Sequence, residues 1–278
     1  MPKKVLFQVD ADGNAAVVLN RPEAHNAFDP EMVDALTAAL KKLEADATVR
    51  AVVLTGTGEN FCAGADIAHM KASARATRAQ NLESARAAAR MLHTLHTLKI
   101  PTIACVRGAA RGGGVGLVAA CDIAIAEQKA TFRLSEVRLG IIPAVISPYV
   151  IGAMGARMAR RYMISGEEFD AAEAYRIGFV QDICQTGELS AVVGRMLAQI
   201  HAGGPHAIVA IKRLISEVDG ARLDEALVEK TAQGLAEIRA TPEAQEGLSA
   251  FLEKRKAAWV EPASQKKSAG KRAAKSRR

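Results

Sequence analysis

The sequence predicts an α/β fold with a helical C-terminal end, and three observations carry that prediction. Short apolar runs that read as strands alternate with segments of helical period along the first part of the chain. After Gly152 the character changes to helices, broken at Gly187, at Gly203-Gly204-Pro205 and at Thr241-Pro242. Two glycine-rich segments, 61–67 and 107–114, punctuate the alternating part.

The chain opens as a hairpin: Lys4 to Val9, a turn at Asp12-Gly13-Asn14, then Ala15 to Leu19. Asp29-Pro30-Glu31 is a helix start, with Asp29 as cap and Pro30 in the first turn. Met32, Leu36, Leu40 and Leu43 recur at helical spacing behind it. Ala51 to Thr55 reads as a buried strand ended by Gly56. An Ala/Arg-rich helix is expected over about Thr77 to Leu98, stopping before Pro101 because the residue ahead of a proline avoids helical angles. Thr102 to Val106 is the next strand, Gly113 to Ala120 a short helix, and Cys121 to Ala126 another strand. An apolar helix over Leu248 to Trp259 packs either on its own body or on another subunit. The expected division is a core over 1–200 holding the active site, a helical region over 201–260 and a basic tail over 261–278.

Composition narrows the classes. With 278 residues the chain can bury a sizeable core. No stretch has the apolar length of a membrane span, and residues 1–12 lack the apolar stretch of a secretory signal. Cys62, Cys105, Cys121 and Cys184 show no metal-like spacing and lie among apolar neighbours, so they read as reduced core residues of a cytoplasmic protein. His93 and His96 have no third ligand at suitable spacing, so no metal site is expected. The net charge of +7 lies mostly at the end, where residues 261–278 hold seven basic residues against Glu261 alone. Such a tail is a solubilising, disordered end or, on a sharper reading, a weak salt-sensitive contact with nucleic acid or another polyanion.

Three features carry chemistry. The segment Phe61-Cys62-Ala63-Gly64-Ala65-Asp66-Ile67 and the segment Arg107-Gly108-Ala109-Ala110-Arg111-Gly112-Gly113-Gly114 can each leave a backbone N–H uncovered in a pocket. The second opens a helix, whose first N–H groups are unpaired and carry partial positive charge. Two such donors aimed at one point make an oxyanion hole; the alternative is a pair of tight packing turns. Glu136 follows, flanked by Phe132, Leu134, Val137 and Leu139. It is either a solvated surface acid or a carboxyl group tuned by desolvation for proton transfer. Gly114-x-Gly116-x-x-Ala119 fits a dinucleotide fingerprint, but the helix it opens is too short for the full crossover such a site needs. P-loop, HExxH and GxSxG motifs are absent.

In this order and spacing the segments resemble the enoyl-CoA hydratase/isomerase (crotonase) family. The likeness runs from Asn20-Arg21-Pro22 through 61–67, 108–122 and 136–143 to Phe251-Leu252-Glu253-Lys254-Arg255-Lys256. The resemblance implies a crotonase-like ββα superhelix with a C-terminal helical trimerisation region, assembled as a homotrimer or a hexamer. It implies an acyl-CoA thioester as substrate, with coenzyme A part of that substrate and no separate cofactor. Catalysis would rest on Glu136 as acid/base and on the N–H groups of Ala65 and Gly113. Arg21, Ala24, Ala63, Asp66, Ile67, Phe251 and Lys254 would hold the CoA portion, the last two usually reaching a neighbouring subunit's ligand. Common hydratases of the family carry a further glutamate where this chain has Gly116. The activity the resemblance implies is addition of water to a 2-enoyl-CoA thioester; the alternatives are an isomerase that moves the double bond with one acid at the Glu136 position, or a non-catalytic acyl-CoA- or RNA-binding member. Residues 112–117 and 135–150 are similar to a bacterial branch assigned to 3-methylglutaconyl-CoA and related carboxylated enoyl-CoA hydration. For such a substrate Arg111 or Arg133 would face the distal carboxylate, since a guanidinium matches carboxylate geometry.

Overall fold

The structure, a computed structural model, describes residues 3–260. Strands β1 (Val5–Val9) and β2 (Asn14–Leu19) form the opening hairpin, closed where Gly13 turns at φ +87°. Helix α1 (Pro30–Ala45) starts where expected: the Asp29 side chain accepts the N–H of Met32 at 2.8 Å. Met32, Leu36, Leu40 and Leu43 of α1 are buried to within 1%. Strand β3 (Ala51–Gly56) is followed by the short α2 (Ile67–Ser73) and by α3 (Arg78–His96), which Thr77 and Gln80 close with a reciprocal capping box. Next come β4 (Thr102–Val106), β5 (Ala109–Arg111), α4 (Gly113–Ala120), β6 (Ile123–Glu127) and β7 (Thr131–Arg133). A 3-10 turn covers Glu136–Leu139. Then follow α5 (Ser147–Ser165), β8 (Glu168–Asp170), α6 (Ala171–Arg176), β9 (Asp182–Cys184) and α7 (Leu189–Ala202). Helices α8 (Pro205–Val218), α9 (Glu225–Arg239) and α10 (Pro242–Leu252) end the described chain.

Six strands form one sheet in the order β1-β2-β3-β4-β6-β9, antiparallel between β1 and β2 and parallel thereafter. Strands β5, β7 and β8 form a second, small sheet. The main core lies between the large sheet and α1, α3 and α4, and continues into a cluster of Phe132, Tyr162, Phe169 and Phe179. A smaller apolar layer under α7 joins Ile103 and Ile125 to Leu189, Val192 and Val193. This is the mixed α/β architecture the sequence predicts.

Several expectations need correction. The three-residue strands β5, β8 and β9 are not expected from the sequence, because so short a run shows no period. The helical end is not purely helical: β8 and β9 lie within it. The helix expected over 248–259 stops at Leu252, and Lys254 takes a left-handed φ of +54°. All four cysteines are free; Cys62 and Cys184 are buried, while Cys105 and Cys121 are partly buried and packed against the apolar layers. The basic tail, 261–278, lies outside the described residues. No helix among the described residues is long and apolar enough to cross a membrane.

Candidate active site

One short parallel bridge brings the glycine-rich segments together, and a second ties the first of them to Phe28. Cys62 pairs with Ala110: its N–H reaches Ala109 O at 3.1 Å, and its carbonyl accepts Arg111 N–H at 2.9 Å. On the other side, Phe28 bridges Ala65, with Phe28 N–H on Gly64 O at 2.6 Å and Asp66 N–H on Phe28 O at 2.7 Å. In a parallel ladder the residue between two such bonds turns its own N–H away from the partner. The Ala65 N–H therefore faces away from Phe28, and it finds no acceptor among the described residues.

Gly113 is the first residue of α4, so its N–H belongs to the unpaired first turn and carries the helix's partial positive charge. Gly112, at φ +47°, holds the chain in a conformation that favours glycine, and its N–H is tied to Arg133 O at 2.9 Å. Close approach explains the neighbouring glycines. A Cβ on Gly64 would lie 2.7 Å from Arg111 O and 3.4 Å from Gly113 N; one on Gly113 would lie 2.7 Å from the Phe28 ring. The two N–H donors thus sit on segments packed backbone to backbone, where a side chain would separate them.

Glu136 joins the same place. It begins the 3-10 turn after β7, and a Cβ on Gly112 would lie 3.0 Å from its Oε1. Its Oε2 is buried without a hydrogen-bond partner among the described residues. Burial pushes its carboxyl group above the usual carboxylate range, with its own backbone N–H pulling the other way. The Glu136 carboxyl group thus lies beside the start of α4 with one buried oxygen that no structural bond holds among the described residues.

The residues read as CoA-binding fall into two sets. Arg21, 15% exposed, reaches Ala27 O at 2.7 Å and Asp66 Oδ2 at 3.0 Å. Asp66 also caps α2 through the N–H groups of Ala68 and His69. Burial opposes its ionisation, but the N–H of His69, the Arg21 guanidinium and the N–H of Ala68 hold its carboxyl below the usual range. Ala24 ends a 3-10 turn beside left-handed His25 and Asn26, and Ala63 N–H bonds His25 O at 2.9 Å. Ile67 opens α2 and is 71% exposed. Phe251 and Lys254 stand elsewhere, at the end of α10, which packs on α8 and α9. Phe251 is 80% exposed.

The arginines are more committed than the sequence suggests. They face each other in register on β5 and β7. Arg111 pairs with Glu168 at 2.6 Å and donates to Thr131 Oγ1 at 2.9 Å, so it is not a free guanidinium. Arg133 donates its Nε to Gly166 O at 2.8 Å. Sequence reasoning missed Asn26 and Ile146. Asn26 is fully buried and donates its amide to the carbonyls of Thr57 and Asn60 at 2.9 Å each, which fixes the 21–28 loop against the first glycine-rich segment. Its left-handed neighbour His25 gives no local pattern that marks it. Ile146 is 5% exposed and meets α4 at Gly116.

Residues 11–262 match the family model for enoyl-CoA hydratase/isomerase. The chain belongs to that family. It is 34% identical to a crotonyl-CoA hydratase of Syntrophomonas wolfei, covering 88% of this chain and 94% of that one. It is 32% identical to a short-chain-enoyl-CoA hydratase of Clostridium acetobutylicum over 89% of this chain and 95% of the relative. A crystal structure of an enoyl-CoA hydratase from Shewanella pealeana superposes with a TM-score of 0.89 at 39% identity, covering 92% and 96% of the two chains. Both glycine-rich segments and Glu136 lie within the residues that match the enoyl-CoA hydratase/isomerase family.

Proposed function

We propose that this protein adds water to a 2-enoyl-CoA thioester, with Glu136 as its one acid/base group. The observation that carries the reading is the unpartnered buried Oε2 of Glu136 beside the Gly112–Gly113 turn. The thioester oxygen sits between the N–H groups of Ala65 and Gly113. Water oxygen bonds to C3 as the C2=C3 electron pair moves into the thioester, forming an enolate whose charge the two donors stabilise. Glu136 takes the water proton during attack and returns it to C2, so one water is added and the carboxylate is regenerated. Its raised pKa brings the charged and neutral forms closer in free energy near neutral pH, which suits a group that must use both. Glu136→Gln should abolish the loss of enoyl-thioester absorbance with crotonyl-CoA while the protein stays folded; an unchanged rate would overturn the assignment.

One observation favours a second reading. Gly116 stands where common hydratases of the family carry the first of their two glutamates, and a single acid is sufficient to move a proton between C4 and C2 of a 3-enoyl thioester. Product mass separates the two, because isomerisation adds no oxygen.

The finer substrate assignment is 3-methylglutaconyl-CoA or a related carboxylated branched enoyl-CoA, supported by the likeness of 112–117 and 135–150 to that branch. Of the two arginines, Arg133 suits the distal carboxylate, since its terminal nitrogens find no partner among the described residues while Arg111 is held by Glu168. Arg133→Met should raise KM for 3-methylglutaconyl-CoA about tenfold and leave crotonyl-CoA turnover unchanged. Equal losses on both substrates would remove the pairing. The proposed assembly is a trimer or a pair of trimers, supported by the apolar faces that α8–α10 leave uncovered.

A further inference from the structure

Gly116 lies one turn beyond Gly113 on α4, and Ile146 stands at the start of α5. In a helix each Cα–Cβ bond tilts toward the N-terminus, so a side chain at 116 would point back over the 112–113 turn. That is where the Gly113 N–H and the Glu136 carboxyl group lie. The volume is already filled. A Cβ built on Gly116 would lie 2.8 Å from Ile146 Cβ and closer still to its Cγ2. Ile146 is 5% exposed and belongs to the main core, so it has little room to retreat. No rotation at 116 avoids it, because the clash begins at the first side-chain atom.

We infer that Ile146 is a specificity-determining residue: its branched side chain forms an apolar wall over the oxyanion turn and occupies the space of any side chain at 116. This rests on the proposed reading of the Glu136–Gly113 pole as the reacting site. Two consequences follow. The site has one carboxyl group for a packing reason as well as a sequence reason, so a glutamate at 116 is not accommodated while Ile146 is present. The substituents on the reacting carbons also meet the Ile146 side chain, so trimming it changes which enoyl thioesters fit.

The test uses the full chain in two arms. In the packing arm, Gly116→Ala, Ile146→Gly and the double variant are melted. Gly116→Ala alone should lower Tm by roughly 3–6 °C, and the double variant should melt above the sum of the two single losses. Strict additivity would overturn the inference without any assay of activity. In the specificity arm, Ile146→Ala is compared with wild type on crotonyl-CoA and on its 3-methyl homologue. The kcat/KM ratio should move roughly tenfold or more toward the branched thioester, the amount one methyl group decides in an apolar pocket. An unchanged ratio, with wild type active and Glu136→Gln inactive, would overturn the wall while leaving the proposed function standing. Wild type inactive on both thioesters would instead overturn the proposed function, and the specificity of the wall with it.

Discussion

The body of the molecule and its C-terminal helices treat their apolar residues in opposite ways. Helix α1 buries Met32, Val33, Leu36, Ala39, Leu40 and Leu43 against the sheet. Helices α8 and α9 bury no residue, and α10 buries only Ala250. Ile211, Leu214 and Ile215 on α8, and Val228 and Leu235 on α9, are 45–61% exposed. They are not spaced at random: α8 and α9 line an apolar groove with Leu214, Leu227 and Ile238 among its walls. Covering one such side chain fully is worth about 1.5–3 kcal/mol, so a groove of this kind left to water is costly. The body closes its own core within one chain, whereas α8 and α9 leave their apolar residues uncovered.

The contrast extends to how each region meets function. In the body, the segments of the candidate site pack closely: a Cβ on Gly64, Gly112 or Gly113 would meet Arg111 O, Glu136 Oε1 or the Phe28 ring. The helical end carries Phe251 and Lys254 far out on an exposed turn, at the place where the family likeness puts contacts to a neighbouring subunit's ligand.

Substitutions sharpen this difference, from large effects to small. Glu136→Gln has the largest, a loss of about 10³-fold in hydration rate, with thermal stability retained. Gly113→Ala follows. Its Cβ meets the Phe28 ring and shifts the helix start from Ala65, so kcat should fall about 10²-fold while KM changes little. Leu214→Glu lies in the other region. It should leave secondary structure intact and lower the assembly state in sedimentation velocity, with a charge placed in the groove. An unchanged sedimentation coefficient would mean that the uncovered helical faces are not where copies meet.

The smallest effect is one of sign. Burial raises the pKa of Glu136, so the fold favours its neutral form. That contribution is fully present below the unfolded-state carboxylate pKa and is lost as pH rises through the raised folded value. Glutamine, which never ionises, should therefore melt above wild type at alkaline pH, with the gap narrowing on acidification. A gap that widens on acidification would show Glu136 to be charged and paired in the folded protein.

Local chemistry made much of this legible in advance. The Asp29 cap, the Met32–Leu43 stripe, the buried β3 and the turn at Gly112–Gly114 each announce themselves within a few residues. The two glycine-rich segments and Glu136 also stand out in their own stretches, while Ala65 and Gly113 within them are singled out by the family likeness; the structure packs those stretches together. What stayed hidden depends on distant partners. Strand β5 exists because it pairs with β7; three residues show no period of their own. Arg111 reads as a free cation until Glu168 is placed beside it. Ile146 reads as one more apolar residue until Gly116 is seen to leave its space to it.

The central claim is that one buried carboxyl group and two backbone N–H groups suffice here for water addition. It is tested most directly by the mass of the product formed from crotonyl-CoA in H2¹⁸O. Incorporation of one labelled oxygen by wild type, absent in Glu136→Gln, is the predicted result. Turnover of a 3-enoyl-CoA with no oxygen gained, and none gained on crotonyl-CoA, would contradict it and assign the site to double-bond migration.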